Sequence, residues 1–305
     1  MADGSMWRAL MWMLFALAMF SLVAISGREA AREIAEAAGR TTPILSDTLQ
    51  IMIVRSFVGL VIVSAIIAAS EQGFRQITSR NLLLHTGRNT THYVGQFCWF
   101  HALSLIPLSQ LFALEFTSPL WVALFAWLLL GERFSAERIA AVVLGFLGIL
   151  VIVQPGVQSI GLGSGLAMSA AITFALAMIA TKSLMGRESA LAVLFHMSWM
   201  QLLISGVLIG PYLSYQTTEA YAWLVVIGIT STAAHFALAR AFKEGDAMIV
   251  APMDFLRLPI ITVIGALAYN EAIQPEIAIG AALILSGNAL NLWGQHRLSR
   301  VRRPS

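Results

Sequence analysis

The chain repeats itself at an offset of 139 residues, and the positive charges change sides between the two copies. The segment Gly131-Glu132-Arg133-Phe134-Ser135-Ala136-Glu137-Arg138 returns as Asn270-Glu271-Ala272-Ile273-Gln274-Pro275-Glu276-Ile277. Both glutamates persist, while both arginines become apolar. Elsewhere the exchange runs the other way: Ser104 becomes Lys243 and His101 becomes Arg240. Cytoplasmic loops of membrane proteins collect Lys and Arg, and external loops shed them. The two copies therefore read as lying upside-down with respect to each other in one bilayer, the inverted-repeat plan of secondary transporters.

Composition agrees with a bilayer as the solvent. Apolar residues make up 58% of the chain, charged residues only 11%, and mean hydropathy is +0.78, whereas soluble domains carry about 25% charged residues. The net charge of +3 does not point to nucleic acid. Four arginines (Arg297, Arg300, Arg302, Arg303) flank the final apolar segment, where they orient a span against anionic lipid. The lone Cys98 excludes a disulfide framework and a thiol metal cluster. Trp7–Ser26 is longer than a signal-peptide core and reads as a first span.

Ten spans are expected, at 7–26, 49–69, 82–104, 107–130, 138–154, 162–181, 191–213, 221–241, 247–269 and 275–293. Basic residues fall in alternate links: Arg75 and Arg80, Arg133 and Arg138, Lys182 and Arg187, Arg240 and Lys243, and then the C-terminal tail. The link between spans 1 and 2 breaks the trend with Arg28, Arg32 and Arg40, which share it with four acids. This places both termini in the cytoplasm of a bacterial-type inner membrane, with repeats over 1–154 and 155–305. An odd number of spans per repeat forces the second copy to insert inverted. The Ala/Glu/Arg-rich stretch Arg28–Gly39 favours helix, either as a short amphipathic helix at the outer face or as an extension of span 1.

A charge at the bilayer centre costs at least ~2.5–3.5 kcal/mol on insertion scales, so each one needs a partner or water. Glu115 in span 4 and Asp254 in span 9 coincide at the 139-residue offset, as do Phe116 and Phe255. Two acids at equivalent depths in inverted copies are expected to face each other at the repeat interface. Arg257 lies three residues after Asp254, within reach of it on one helix face. Pro119, Pro252 and Pro259 are expected to interrupt spans 4 and 9, and broken helices at matching positions point to a transport site. Arg55 and Arg88 complete the buried cations; the alternative for both is snorkelling to headgroups. His101 is a candidate proton relay, with hydrogen-bonded packing as the alternative. No metal-ligand spacing lies on one helix, and neither a metal nor a cofactor is expected. Gly145 and Gly148, with Gly280 and Gly287, suit close helix contact.

The stretches Phe100 to Ser109, Phe116 to Val122 and Leu130 to Arg133, with Ala239 to Phe242, Ala251-Pro252 and Asn270-Glu271 in the second copy, resemble the drug/metabolite transporter superfamily, EamA branch. Arg55 and Arg88 also match positions where that family tends to carry arginine, and the resemblance covers about residues 49–293. It implies an all-α membrane fold of ten helices in two inverted five-helix halves. It also implies a central cavity lined by spans 1, 3, 4, 6, 8 and 9, which would hold Glu115, Asp254 and Arg257. The implied activity is alternating-access transport of small organic metabolites, with a proton as one candidate coupling ion and with membrane lipid as a partner. The expected assembly is a monomer or homodimer. A non-transporting scaffold or sensor is the alternative class, and an intramembrane enzyme would need a nucleophile–base set that the sequence does not present.

Overall fold

A computed structural model describes residues 2–78, 80–130, 136–154, 161–185, 187–210, 213–244, 250 and 253–301. Glu132, Arg133, Pro252, Arg302 and Arg303 lie outside these described residues. The described chain is helical, with no strand among the described residues: α1 (Ala2–Ala37), α2 (Leu45–Ala69), α3 (Leu82–Ala102), α4 (Leu108–Glu115), α5 (Ser118–Leu130), α6 (Ala136–Val153), α7 (Leu162–Met185), α8 (Ala190–Ile209), α9 (Thr218–Glu244), α10 (Arg257–Tyr269) and α11 (Pro275–Val301).

Among the described residues seven segments are long and apolar enough to cross a membrane, and Ile139–Val153 is a shorter apolar helix. The third expected span is a 21-residue helix, but it carries His85, Arg88, His92 and His101. All four of those polar side chains are buried.

Two expectations about helix ends resolve simply. The Ala/Glu/Arg-rich stretch extends span 1, so that α1 runs unbroken to Ala37. Span 4 breaks at Phe116-Thr117. Pro119, second in α5, has no N–H to donate to the preceding turn. The carbonyls freed there are satisfied by hydroxyls, as Thr117 Oγ1 donates to Leu114 O (2.7 Å) and Ser118 Oγ to Glu115 O (2.7 Å). Pro259 is the third residue of α10, and the turn before it, Asp254–Leu256, is 3-10 rather than α-helical, so the regular helix of span 9 is broken just ahead of this proline, which has no N–H to donate to Phe255 O.

The principal helix pairs are α1 with α9, α6 with α11, α3 with α7, α2 with α8 and α2 with α9; α5 also packs on α7 and α4 on α10. Lipid tails are as apolar as leucine, so such pairs are held by close packing more than by the hydrophobic effect. At the α6–α11 crossing a Cβ on Gly148 would fall 2.6 Å from Gly280 O, and one on Gly280 would fall 2.7 Å from Gly148 O. Only glycine permits that approach. The main apolar cluster joins α1, α3, α4, α10 and α11 through residues such as Phe100, Leu103, Phe112, Ile261 and Ile284. Large side chains including Leu83, Val207 and Leu267 point outward and present an apolar surface to acyl chains.

Candidate functional site

The break between α4 and α5 ends α4 on Glu115, and a short 3-10 turn (Asp254–Leu256) delivers Asp254 just before α10. Arg257, first in α10, bridges them. Its Nη2 donates to Asp254 Oδ2 at 2.7 Å and to Glu115 Oε1 at 3.3 Å. Trp99 Nε1 on α3 donates to the other Glu115 oxygen at 2.7 Å.

Phenyl rings surround the guanidinium: Phe20, Phe116 and Phe112 have centroids 4.7, 5.2 and 5.6 Å from Arg257 Cζ. Ring faces are electron-rich, so this shell stabilises a cation in place of water. Phe116 and Phe255, the aromatic pair that coincides at the repeat offset, meet edge to face with centroids 5.4 Å apart. The group is not fully satisfied. Asp254 Oδ1 and Arg257 Nε are enclosed without a hydrogen-bond partner. With both acids ionised the trio carries one excess negative charge, and a single proton neutralises it.

Arg55 is not at this site, and it does not snorkel. It is 4% exposed on α2 and clamps three helices. Its Nη1 donates to Ser231 Oγ on α9 (2.8 Å), and its Nη2 donates to Gln96 on α3 (2.6 Å) and Gln201 on α8. Gln201 passes the network on to His92 Nδ1 at 3.0 Å. Gln96 and Gln201 escaped notice in the sequence, although an amide inside an apolar span is itself a signal, because it must find a partner there. Arg88, 6% exposed, donates from Nε to Thr181 Oγ1 (3.0 Å) and from Nη1 to Asn89 Oδ1 (2.7 Å). His101 stands apart from the acids. Its Nδ1 meets Thr48 Oγ1 at 3.1 Å, and its ring stacks on Phe97.

Two further polar pairings were not legible in sequence. Arg28 donates to Leu103 O (2.9 and 2.8 Å) and to Ile106 O (2.7 Å), and it pairs with Glu271. Glu271 in turn accepts the Leu108 N–H at 2.9 Å, capping α4. At the start of α3, His85 Nε2 lies 2.7 Å from Glu188 Oε2, and Asn81 Nδ2 donates to Glu188 Oε1 at 2.8 Å. Burial alone would raise the Glu188 carboxyl, but these hydrogen bonds from Asn81 and His85 outweigh it and hold it below the usual carboxylate range. With His196 the trio has its ligand-type atoms within 4.8 Å of one another. However, Trp199 Nε1 donates to His196 Nδ1 (2.9 Å), which leaves the proton on Nε2 facing Thr78 O (3.0 Å). Both ring nitrogens of His196 are thus engaged, and the trio fits a hydrogen-bonded tie better than a metal centre.

The model of the EamA-like transporter family matches residues 7–154 and 161–293. A riboflavin transporter of Rhizobium johnstonii is 31% identical over 225 residues, covering 72% of this chain and 73% of that protein. An S-adenosylmethionine uptake transporter of Rickettsia prowazekii is 26% identical over 220 residues, covering 72% and 74%. A pseudopaline exporter of Pseudomonas aeruginosa is 26% identical over 261 residues, covering 83% and 87%. A solved crystal structure that is 18% identical shares the fold with a TM-score of 0.60, over 95% of this chain and 98% of that one.

Proposed function

This chain belongs to the EamA-like transporter family, within the drug/metabolite transporter superfamily, and from that membership we propose that it is a secondary carrier working by alternating access around Glu115, Asp254 and Arg257. It is a multi-pass membrane transporter of small metabolites and not an enzyme. In this reading ten spans form two inverted halves, 1–154 and 155–305, with both termini on the cytoplasmic side of an inner membrane. The helix pairing supports it. Numbered as ten spans, the pairs 2 with 7, 4 with 9 and 5 with 10 join equivalent members of the two halves, while 1 with 8 and 3 with 6 exchange into each other. A two-fold relation in the membrane plane would produce that pattern.

One observation carries the mechanism: a single guanidinium nitrogen is shared by an acid from each half. A proton or a cationic substrate group arriving at the trio would release one acid from Arg257, and an anionic group would compete for the guanidinium itself. Either event uncouples the halves at their contact and favours rocking. The rings of Phe20, Phe112, Phe116 and Trp99 around this point suit a substrate with a flat conjugated ring system. Riboflavin and S-adenosylmethionine, the substrates named for two relatives, share that feature, and they are the first compounds to assay in both directions.

The test is flux into proteoliposomes with and without a pH gradient, for the wild type, Glu115→Gln and Asp254→Asn. The expected result is loss of flux and of its pH dependence in both variants, with folding retained. Wild-type flux with unaltered pH dependence in both would remove the carboxylates from the mechanism. A chain that folds yet moves neither these nor other metabolites would favour a scaffold or sensor.

A further inference from the structure

We infer that the cleft between α3 and α7 is a binding site for one anionic phospholipid, with Arg88 as its headgroup anchor. The cleft has a volume of about 430 Å³ and lies between Leu83, Leu84 and Arg88 on α3 and Leu176 and Ala180 on α7. Apart from Thr91 its walls are apolar, and its one charge is a cation. Leu83 is 89% exposed, so the cleft opens sideways toward lipid rather than into the helix bundle.

Charge complementarity identifies the occupant. Arg88 is more than nine-tenths buried, and both of its hydrogen-bond partners, Thr181 and Asn89, are neutral. Among the described residues no carboxylate lies within ion-pair distance of it. Its remaining nitrogen, Nη2, donates to no described residue and yet is not sealed from the surface. Arg55, the like-charged neighbour, is also held only by neutral groups. A guanidinium in hydrocarbon without a counter-charge is costly, and a lipid phosphate supplies that charge with two acceptor oxygens matched to its fork.

Depth agrees. Arg88 lies six residues into α3 from Leu82, about 9 Å along the axis at 1.5 Å per residue. A phosphate drawn in from the headgroup layer reaches Nη2 there, and its acyl chain continues past Leu176. Gly87 leaves the floor open, as a Cβ built on it meets nothing within 4 Å.

The experiment is native mass spectrometry of the full chain from detergent containing phosphatidylglycerol and phosphatidylcholine in equal amounts. The wild type is expected to retain one phosphatidylglycerol with a preference of about fivefold, the factor for one basic residue facing an anionic headgroup. Arg88→Gln removes the anchor and should abolish the preference. Gly87→Phe fills the cleft while leaving Arg88 and its partners in place, and it should do the same, so loss in both variants is not misfolding. Arg75→Gln, at an exposed arginine in the loop before α3, should keep the preference. Retained preference in Arg88→Gln and Gly87→Phe overturns the assignment. So does displacement of the lipid by millimolar inorganic phosphate, which would make the cleft a site for a free anion. Neither result bears on flux through the Glu115 site.

Discussion

Glu115 and Asp254, which are 139 residues apart in sequence, accept hydrogen bonds from the same nitrogen of Arg257. The bridge explains why three ionisable groups persist where lipid would otherwise exclude them. Each neutralises part of the cost of burying the others, and the surrounding phenyl rings add cation–π stabilisation.

Removing the bridge should cost more than removing either end. Arg257→Ala leaves two acids facing each other with no cation, and breaking a buried pair typically costs about 3–5 kcal/mol. Asp254→Asn leaves Arg257 with Glu115 and should be milder. Thermal denaturation in detergent, compared across the two variants, checks the order. Equal melting temperatures would count against a shared bridge.

The Arg28–Glu271 pair is expected to behave as one unit. Arg28→Ala strands the Leu103 and Ile106 carbonyls, and Glu271→Ala strands the Leu108 N–H, so each should destabilise by about 1–3 kcal/mol. A double-mutant cycle should show coupling, with the combined variant less damaged than the sum. Additive losses would mean that the two side chains act independently.

At the α6–α11 crossing, Gly280→Ala places a methyl group against Gly148 O and Ile152. Overpacking of this kind costs about 1–3 kcal/mol. Gly87→Ala, whose methyl group meets open space, is the matched control and should melt near the wild type.

The Glu188 tie should give acid-dependent stability. Its folded pKa is held below the usual value, so its contribution is complete above the unfolded carboxylate pKa of about 4.3 and is lost as pH falls through the lower folded value. The melting-temperature advantage of the wild type over Glu188→Gln should therefore be constant above about pH 5 and shrink toward pH 3. An advantage that is flat across this window would show that the carboxylate's charge does not matter.

Much of the fold was legible because the bilayer imposes simple rules. Apolar segment length is set by insertion energetics, which act on local sequence. The match of Glu115 with Asp254 at the 139-residue offset was visible in the sequence itself, as was the proximity of Arg257 to Asp254. For Arg55 the sequence leaves burial and snorkelling both open, because its depth alone allows either. Its burial depends on Gln96, Gln201 and Ser231, which arrive from three other helices.

By itself, then, the sequence determined that this is a polytopic helical protein with acids and arginines inside the membrane, since hydropathy and charge bias are sums over neighbouring residues. Only the tertiary structure decided which charge meets which. Arg28 finding Glu271, His85 finding Glu188, and one Arg257 nitrogen serving two acids all depend on how helices cross. Crossings are set by side-chain packing between segments distant in the chain, and no local pattern encodes them.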